Sequence, residues 1–292
     1  MNYLSNKYGF LGIDNKFKIK EKAVVVPFGF EKTVSYGGGT KYGPKEIIKS
    51  SHQVELYDEE FKLEPFKKIG VKTIRPFKIP NNSKKALKQI SELNAKIIKK
   101  DLFSLILGGE HSITAGCVKP FLKKYGKITI VQFDAHADLR DSYNNDKFSH
   151  ASAMRRCLDN DGVSLISLGI RNISKEEMLY LNRNSNRVKI FWARDKKKWK
   201  EKNLIKLIKN KNVYLTFDVD SLDSSIMPAT GTPEPGGLLW YETLLLLKNI
   251  FSNSNVVGAD INELAPIKGF NSYNFLIAKL AYKILTYKFL LK

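Results

Sequence analysis

Only two cysteines, Cys117 and Cys157, occur in 292 residues, and they share no Cys-x-x-Cys spacing. This excludes a zinc knuckle or a disulfide framework as the basis of the fold. Long apolar runs are also missing. Residues 1–21 are broken by Asn, Lys, Gly and Asp before a signal-peptide core can develop, and no later stretch approaches a membrane span. No Pro- or Ser-rich linker divides the chain. With 43% hydrophobic residues, it can bury one large core without covalent support. The expectation is a single domain over residues 1–292, cytoplasmic, neither exported nor membrane-embedded.

Acidic residues are in short supply, 29 against 49 Lys and Arg, for a net charge of +20. Such a balance raises nucleic acid or another anionic surface as a partner. The distribution argues otherwise. Lysines are scattered over nearly every segment, and the densest run, Lys196-Lys197-Lys198-Trp199-Lys200, falls between a strand and the helix of residues 204–208. It reads as a solvated loop or helix start.

What the chain does have is alternation. Strands are expected at 23–27, 103–107, 128–133, 164–169, 188–192, 213–217 and 256–261, from their β-branched apolar runs. Helices are expected between them at 83–100, 112–125, 174–182 and 241–251, with a last one at 274–291. Alternating strands and helices imply right-handed crossovers and a mostly parallel sheet covered on both faces, a three-layer αβα domain of the α/β class. In the last helix Leu276, Ile277, Leu280, Ala281, Ile284 and Leu285 share one face, while Lys279, Lys283 and Lys288 interrupt it, as expected of an outer helix packed on a sheet.

Three segments concentrate chemistry at strand ends: Gly108-Gly109-Glu110-His111-Ser112, Asp134-Ala135-His136-Ala137-Asp138 and Asp218-Val219-Asp220. If the backbone stays extended past Phe133 and Phe217, every second side chain points the same way, so these residues converge. In a parallel sheet the strand ends open on one edge, where α/β proteins place ligands. Four gathered carboxylates repel one another unless cations neutralise them, which argues for two divalent ions rather than one. Oxygen and imidazole ligands without thiolate favour Mn²⁺ and leave Fe²⁺, Co²⁺ or Ni²⁺ open. A lone Asp-x-Asp is common in turns, but three of the four histidines, His111, His136 and His150, fall in or beside such segments.

In these residues the chain resembles the ureohydrolase (arginase/agmatinase) family. The similarity runs in order through 108–114 (GGEHSIT), 133–141 (FDAHADLRD), 149–156 (SHASAMRR), 217–222 (FDVDSL), 231–237 (GTPEPGG) and 260–266 (DINELAP), with a further segment at 34–44. The resemblance implies an arginase-like fold, hydrolysis of a guanidino group to urea and an amine, and two Mn²⁺ per chain. One ion would be held by His111, Asp134, Asp138 and Asp218, the other by Asp134, His136, Asp218 and Asp220, with a hydroxide between them as nucleophile. His150 would correspond to the histidine that delivers a proton to the leaving amine, a role suited to a group titrating near neutral pH. Glu263 would correspond to the carboxylate that grips the planar, forked guanidinium. The family's usual trimers or hexamers make a homo-oligomer the expectation.

Substrate choice within the family falls to the residues between Asp138 and His150. Where arginases carry an Asn two residues after the last Asp of the motif, this chain has Arg140, followed by Asp141, Ser142 and Tyr143, a pattern resembling agmatinases. The implied reaction converts agmatine to putrescine and urea. Aminopropylagmatine, guanidinobutyrate and arginine are alternative small-molecule substrates for the same chemistry. Asp141 or Tyr143 is a candidate for lining the amine-tail pocket, although Asp141 could equally pair with Arg155 or Arg156. A basic anion-binding protein with a relict metal site is the competing class, and Mn²⁺-dependent urea release against salt-sensitive DNA binding separates the two.

Overall fold

The computed structural model describes residues 1–13 and 19–291; residues 14–18, within the stretch read above for a leader, and Lys292 lie outside the described residues. Eight strands are found among them: β1 (Glu21–Phe28), β2 (Gly70–Thr73), β3 (Phe103–Gly108), β4 (Ile128–Phe133), β5 (Val163–Ile170), β6 (Val188–Trp192), β7 (Asn212–Asp218) and β8 (Asn255–Asn262). They form one sheet in the order β2-β1-β3-β8-β7-β4-β5-β6, parallel throughout.

Each interior strand is buried on both faces, and the period-2 alternation divides its side chains between two cores. Ala23, Val25, Leu105, Leu107, Val131 and Phe133 belong to one core, and Val24, Val26, Ile106 and Ile130 to the other. The first core is covered by α1 (Gly43–Ser51), α7 (Glu201–Ile208), α8 (Trp240–Asn253) and α9 (Ser272–Leu290). The second lies under α2 (Ser83–Ile98), α3 (Thr114–Cys117), α4 (Lys119–Tyr125), α5 (Ala153–Leu158) and α6 (Lys175–Arg183). The α/β, three-layer expectation is borne out.

Four elements differ from the sequence reading for local reasons. The helix expected at 112–125 is a 3-10 turn, His111–Ile113, followed by two short helices; Pro120 stands in the first turn of α4, where it has no N–H to continue a hydrogen-bond ladder from α3. Strand β2 is a four-residue edge strand, too short for a periodic signal. Helices α1 and α5, nine and six residues long, are too short to show a helical period in the sequence.

Helix α9 corrects a further expectation. It is not an amphipathic outer helix, because residues 280–287 are all buried, Lys283 included. The Lys283 ammonium lies 2.8 Å from Asp58 Oδ2 and 3.4 Å from Glu60 Oε2, and Tyr282 Oη donates to the Leu56 carbonyl at 2.9 Å. Segment 56–60 therefore covers the side of α9 that carries Lys283. Among the described residues no helix is long and apolar enough to cross a membrane.

Candidate metal centre and active site

Four strands adjacent in the sheet, β3, β8, β7 and β4, end side by side on one edge. From them come His111, Glu263, the pair Asp218 and Asp220, and the trio Asp134, His136 and Asp138, in that order across the sheet. At a strand spacing of about 4.8 Å, the four ends span roughly 14 Å, narrow enough for all these side chains to meet. Glycine permits the tightest part of the assembly: a Cβ on Gly109 would collide with the Phe30 carbonyl, and one on Gly108 with the Asn262 side chain.

The convergence does not arise from extended backbone, as the spacing suggested. Asp138 has φ 54°, and Val219–Ser221 is a 3-10 turn whose first N–H groups fold back, Asp220 N–H donating to Asp218 Oδ1 at 3.0 Å. Side chains two residues apart meet here through tight turns, each closed by a carboxylate that accepts from the backbone. His136 N–H likewise donates to Asp134 Oδ1 at 2.6 Å, and Ala135 N–H to Asp220 Oδ1 at 2.9 Å.

Two groups of side chains are disposed to hold a metal ion, His111 with Asp134 and Asp218, and Asp134 with His136 and Asp220. They share Asp134, so one carboxylate would serve both groups. Fit to a cation can be tested at His111. Its Nε2 lies 2.7 Å from Thr216 Oγ1, and the Thr216 hydroxyl donates to buried Asp260 at 2.5 Å. With the hydroxyl proton committed, the network places a proton on Nε2, so Nδ1 is the nitrogen left to offer a lone pair to a cation. That Nδ1 is buried without a well-aligned hydrogen bond, yet it faces Asp134, Asp138 and Asp218 oxygens at 3.0, 3.1 and 3.3 Å. A lone pair and three carboxylates directed at one point fit a divalent cation. In the second group, His136 Nδ1 lies 2.9 Å from Asp220 Oδ2.

Without cations these groups perturb each other strongly. Against the opposing effect of burial, Asp134, Asp138 and Asp218 raise His111 well above its ordinary value, and His136 is pushed up to about 12 against burial, chiefly by Asp220. Burial, then the charge of Asp134, raises Asp138 to about 7. Burial and Asp220 raise Asp218 well above the carboxylate range.

His111, His136, Asp138, Asp218 and Asp220 floor a cavity of about 230 Å³ that also takes in His150, Glu263, Tyr143, Arg140, Asn172 and Glu234. Glu263, at φ 67°, is 7% exposed; its Oε1 accepts the His111 backbone N–H at 2.6 Å. Its carboxyl is raised well above the usual range by burial and by Glu110, so an arriving cation would restore its charge. His150 Nδ1 lies 3.1 Å from Thr33 Oγ1. That hydroxyl donates to Glu110 Oε1 at 2.9 Å, which assigns the ring proton to Nδ1 and leaves Nε2 with the lone pair. Burial and the nearby His136 and His111 push His150 down to about 4, below the near-neutral titration expected from sequence. Asp141 turns away to Arg156 at 2.8 Å and Arg155 at 3.7 Å; of the two tail candidates, Tyr143 is the one at the cavity.

Sequence reasoning missed the supporting residues. Thr216 and Asp260 orient His111, Glu110 and Thr33 orient His150, and Gln132 on β4 donates to Asp134 Oδ2 at 2.7 Å. Thr216 and Gln132 are polar residues within otherwise apolar strands, the one signal available beforehand.

The comparisons agree with this geometry. The model of the Arginase family matches residues 21–286. An N(1)-aminopropylagmatine ureohydrolase of Synechocystis sp. is 38% identical over 274 residues, 90% of this chain and 88% of the relative. An agmatinase of Bacillus cereus is 34% identical over 253 residues, 85% of each chain. Among solved structures, the agmatine ureohydrolase of Thermoplasma volcanium superposes with a TM-score of 0.80 at 27% identity, covering 98% of this chain and 95% of that one. The chain belongs to the arginase family and is a ureohydrolase, an enzyme that hydrolyses C–N bonds.

Proposed function

We propose that this ureohydrolase holds two Mn²⁺ ions per chain and hydrolyses agmatine to putrescine and urea. The observation that carries the metal reading is the pair of His/Asp groups sharing Asp134, with the His111 lone pair aimed at three carboxylates. His111, Asp134, Asp138 and Asp218 would hold one ion, and Asp134, His136, Asp218 and Asp220 the other. When bound, such ions lower the pKa of water enough to supply a nucleophile near neutral pH.

The remaining chemistry belongs to the chain. Glu263, buried and anchored on the His111 N–H, pairs with the guanidinium and fixes its carbon over the floor of the cavity. Hydrolysis adds water across the C–N bond: oxygen goes to the carbon, giving urea, and a proton must reach the departing amine. His150, neutral with its Nε2 lone pair available, takes up that proton and passes it to the amine nitrogen.

A second reading, with aminopropylagmatine as substrate, is favoured by the 38% identity to a relative named for that compound. Urea release from agmatine, aminopropylagmatine, guanidinobutyrate and arginine, measured on chelated protein before and after Mn²⁺ addition, tests both. Activity in thoroughly metal-free protein would refute the metal assignment, and a clear preference for aminopropylagmatine would displace agmatine.

A further inference from the structure

The cavity holds six acidic side chains, and five have assignments. Asp138, Asp218 and Asp220 belong to the metal groups and Glu263 to the guanidinium. Glu177 is 4% exposed, and its two oxygens accept the N–H groups of Leu139 and Ser174 at 2.9 and 2.8 Å. The sixth, Glu234, is 31% exposed and lies at the cavity wall.

Its placement is built. Asn172 Nδ2 donates to Glu234 Oε1 at 2.7 Å, and Asn172 is fastened to the metal-ligand loop by its N–H to the Ala135 carbonyl at 3.0 Å. The Arg171 guanidinium donates to the carbonyls of Glu234 at 2.7 Å, Pro235 at 2.9 Å and Asp220 at 2.6 Å. One cation thus ties the backbone of Glu234 to the turn that carries Asp220. Glu234 Oε1 stands 3.8 Å from His136 Nε2, on the side of the ring away from Asp220. The carboxylate is therefore displaced from the metal groups by an imidazole ring and a further 3.8 Å. The two nitrogens bonded to the ends of the carbon chain of an extended four-carbon guanidino-amine are roughly 6 Å apart, from bond lengths of about 1.5 Å, and the guanidinium carbon lies one bond beyond.

We infer that Glu234, positioned by Asn172 and Arg171, receives the ammonium group of the substrate's tail and makes the cavity selective for guanidino-amines over neutral or carboxylate-tailed guanidines. The inference rests on the ureohydrolase reading and adds to it the residue that discriminates among tails. Arg140, the other charge at the wall, is opposed by Glu176 and Glu177 at 3.8 and 3.9 Å, so it offers a carboxylate tail a largely compensated partner. A partly exposed ammonium–carboxylate pair is screened by solvent, which sets the expected effect at about fivefold, ~1 kcal/mol by conversion.

The test compares agmatine, butylguanidine, which has no tail amine, and guanidinobutyrate, in wild-type and Glu234→Gln proteins loaded with Mn²⁺, with metal content measured alongside. In Glu234→Gln the preference for agmatine over butylguanidine, as the ratio of kcat/KM values, should fall about fivefold, mainly through KM, with metal content near wild type. Glu234→Asp should fall between the two. A preference within twofold of wild type would overturn the inference. So would equal losses on both compounds accompanied by loss of metal, which would make Glu234 an orienting partner of His136, or a wild-type preference for guanidinobutyrate, which would give the tail to Arg140. Absence of urea from every guanidine in wild type would instead refute the ureohydrolase reading on which the inference stands.

Discussion

Glu263 Oε1 accepts the backbone N–H of His111 at 2.6 Å, and the Glu263 N–H returns a bond to the Gly109 carbonyl at 2.7 Å. The proposed guanidinium clamp and a proposed metal ligand are thus locked together across neighbouring strands β3 and β8. Metal position and substrate position share one rigid frame, which is what alignment of a reacting carbon requires.

Replacing Glu263 with Gln keeps this shape and removes the charge. A buried cation left without its partner costs about 3–5 kcal/mol, so kcat/KM for the guanidino substrate should fall by roughly two to four orders of magnitude. Metal content should stay near two ions per chain. A variant within about threefold of wild type would remove Glu263 from the substrate site.

His150 contributes no metal bond in this assignment, so His150→Asn should lower kcat while metal content holds. Its supporting bond to Thr33 yields a subtler test. Thr33→Val removes the acceptor of the Nδ1 proton and should lower kcat about tenfold by misplacing a proton-transfer group, and Thr33→Ser should restore most of it. Metal loss in His150→Asn would show the assignment to be wrong.

Thr216 acts on the metal through His111. Thr216→Val leaves the Nε2–H without its acceptor and frees the ring to turn, and such outer partners are typically worth 10–100-fold in metal affinity. Competition with a chelator should show that loss, while Thr216→Ser should bind as wild type does. Equal affinities in all three proteins would count against the orientation argument.

In metal-free protein the His136 pKa is about 12, against about 6.5 in the unfolded chain. The His–Asp contacts therefore contribute stability that is full below about pH 6.5 and is lost as pH rises toward 12. Around neutrality the His136 ring therefore carries both protons, and a cation must displace one of them. Calorimetric titration of Mn²⁺ in buffers of different ionisation enthalpy should show proton release, with apparent affinity rising with pH. Heats independent of the buffer would contradict this.

Away from the site, Lys283→Ala would leave Asp58 buried without its cation. Removal of one member of a buried pair typically costs 3–5 kcal/mol. Denaturant unfolding should show a loss of about that size. A change under about 0.5 kcal/mol would mean that segment 56–60 relaxes to hydrate Asp58.

The sequence by itself determined the β/α alternation and the candidate ligands. Strand periodicity and the residues at strand ends are local, and seven of the eight strands are visible as apolar runs. It could not determine that β8 and β7 insert between β3 and β4, because strand order depends on pairing between segments distant in the chain. That order is what sets Glu263 beside His111. Nor could spacing reveal that Asp138 reaches the site through a left-handed backbone, that Asp260 acts through Thr216, or that Arg171 joins the Asp220 and Glu234 loops. Each is a long-range hydrogen bond or a strained dihedral that the surrounding structure must hold in place. Lys283 shows the same division: its helical position was legible, but its burial depended on acidic residues more than 200 positions away in the chain.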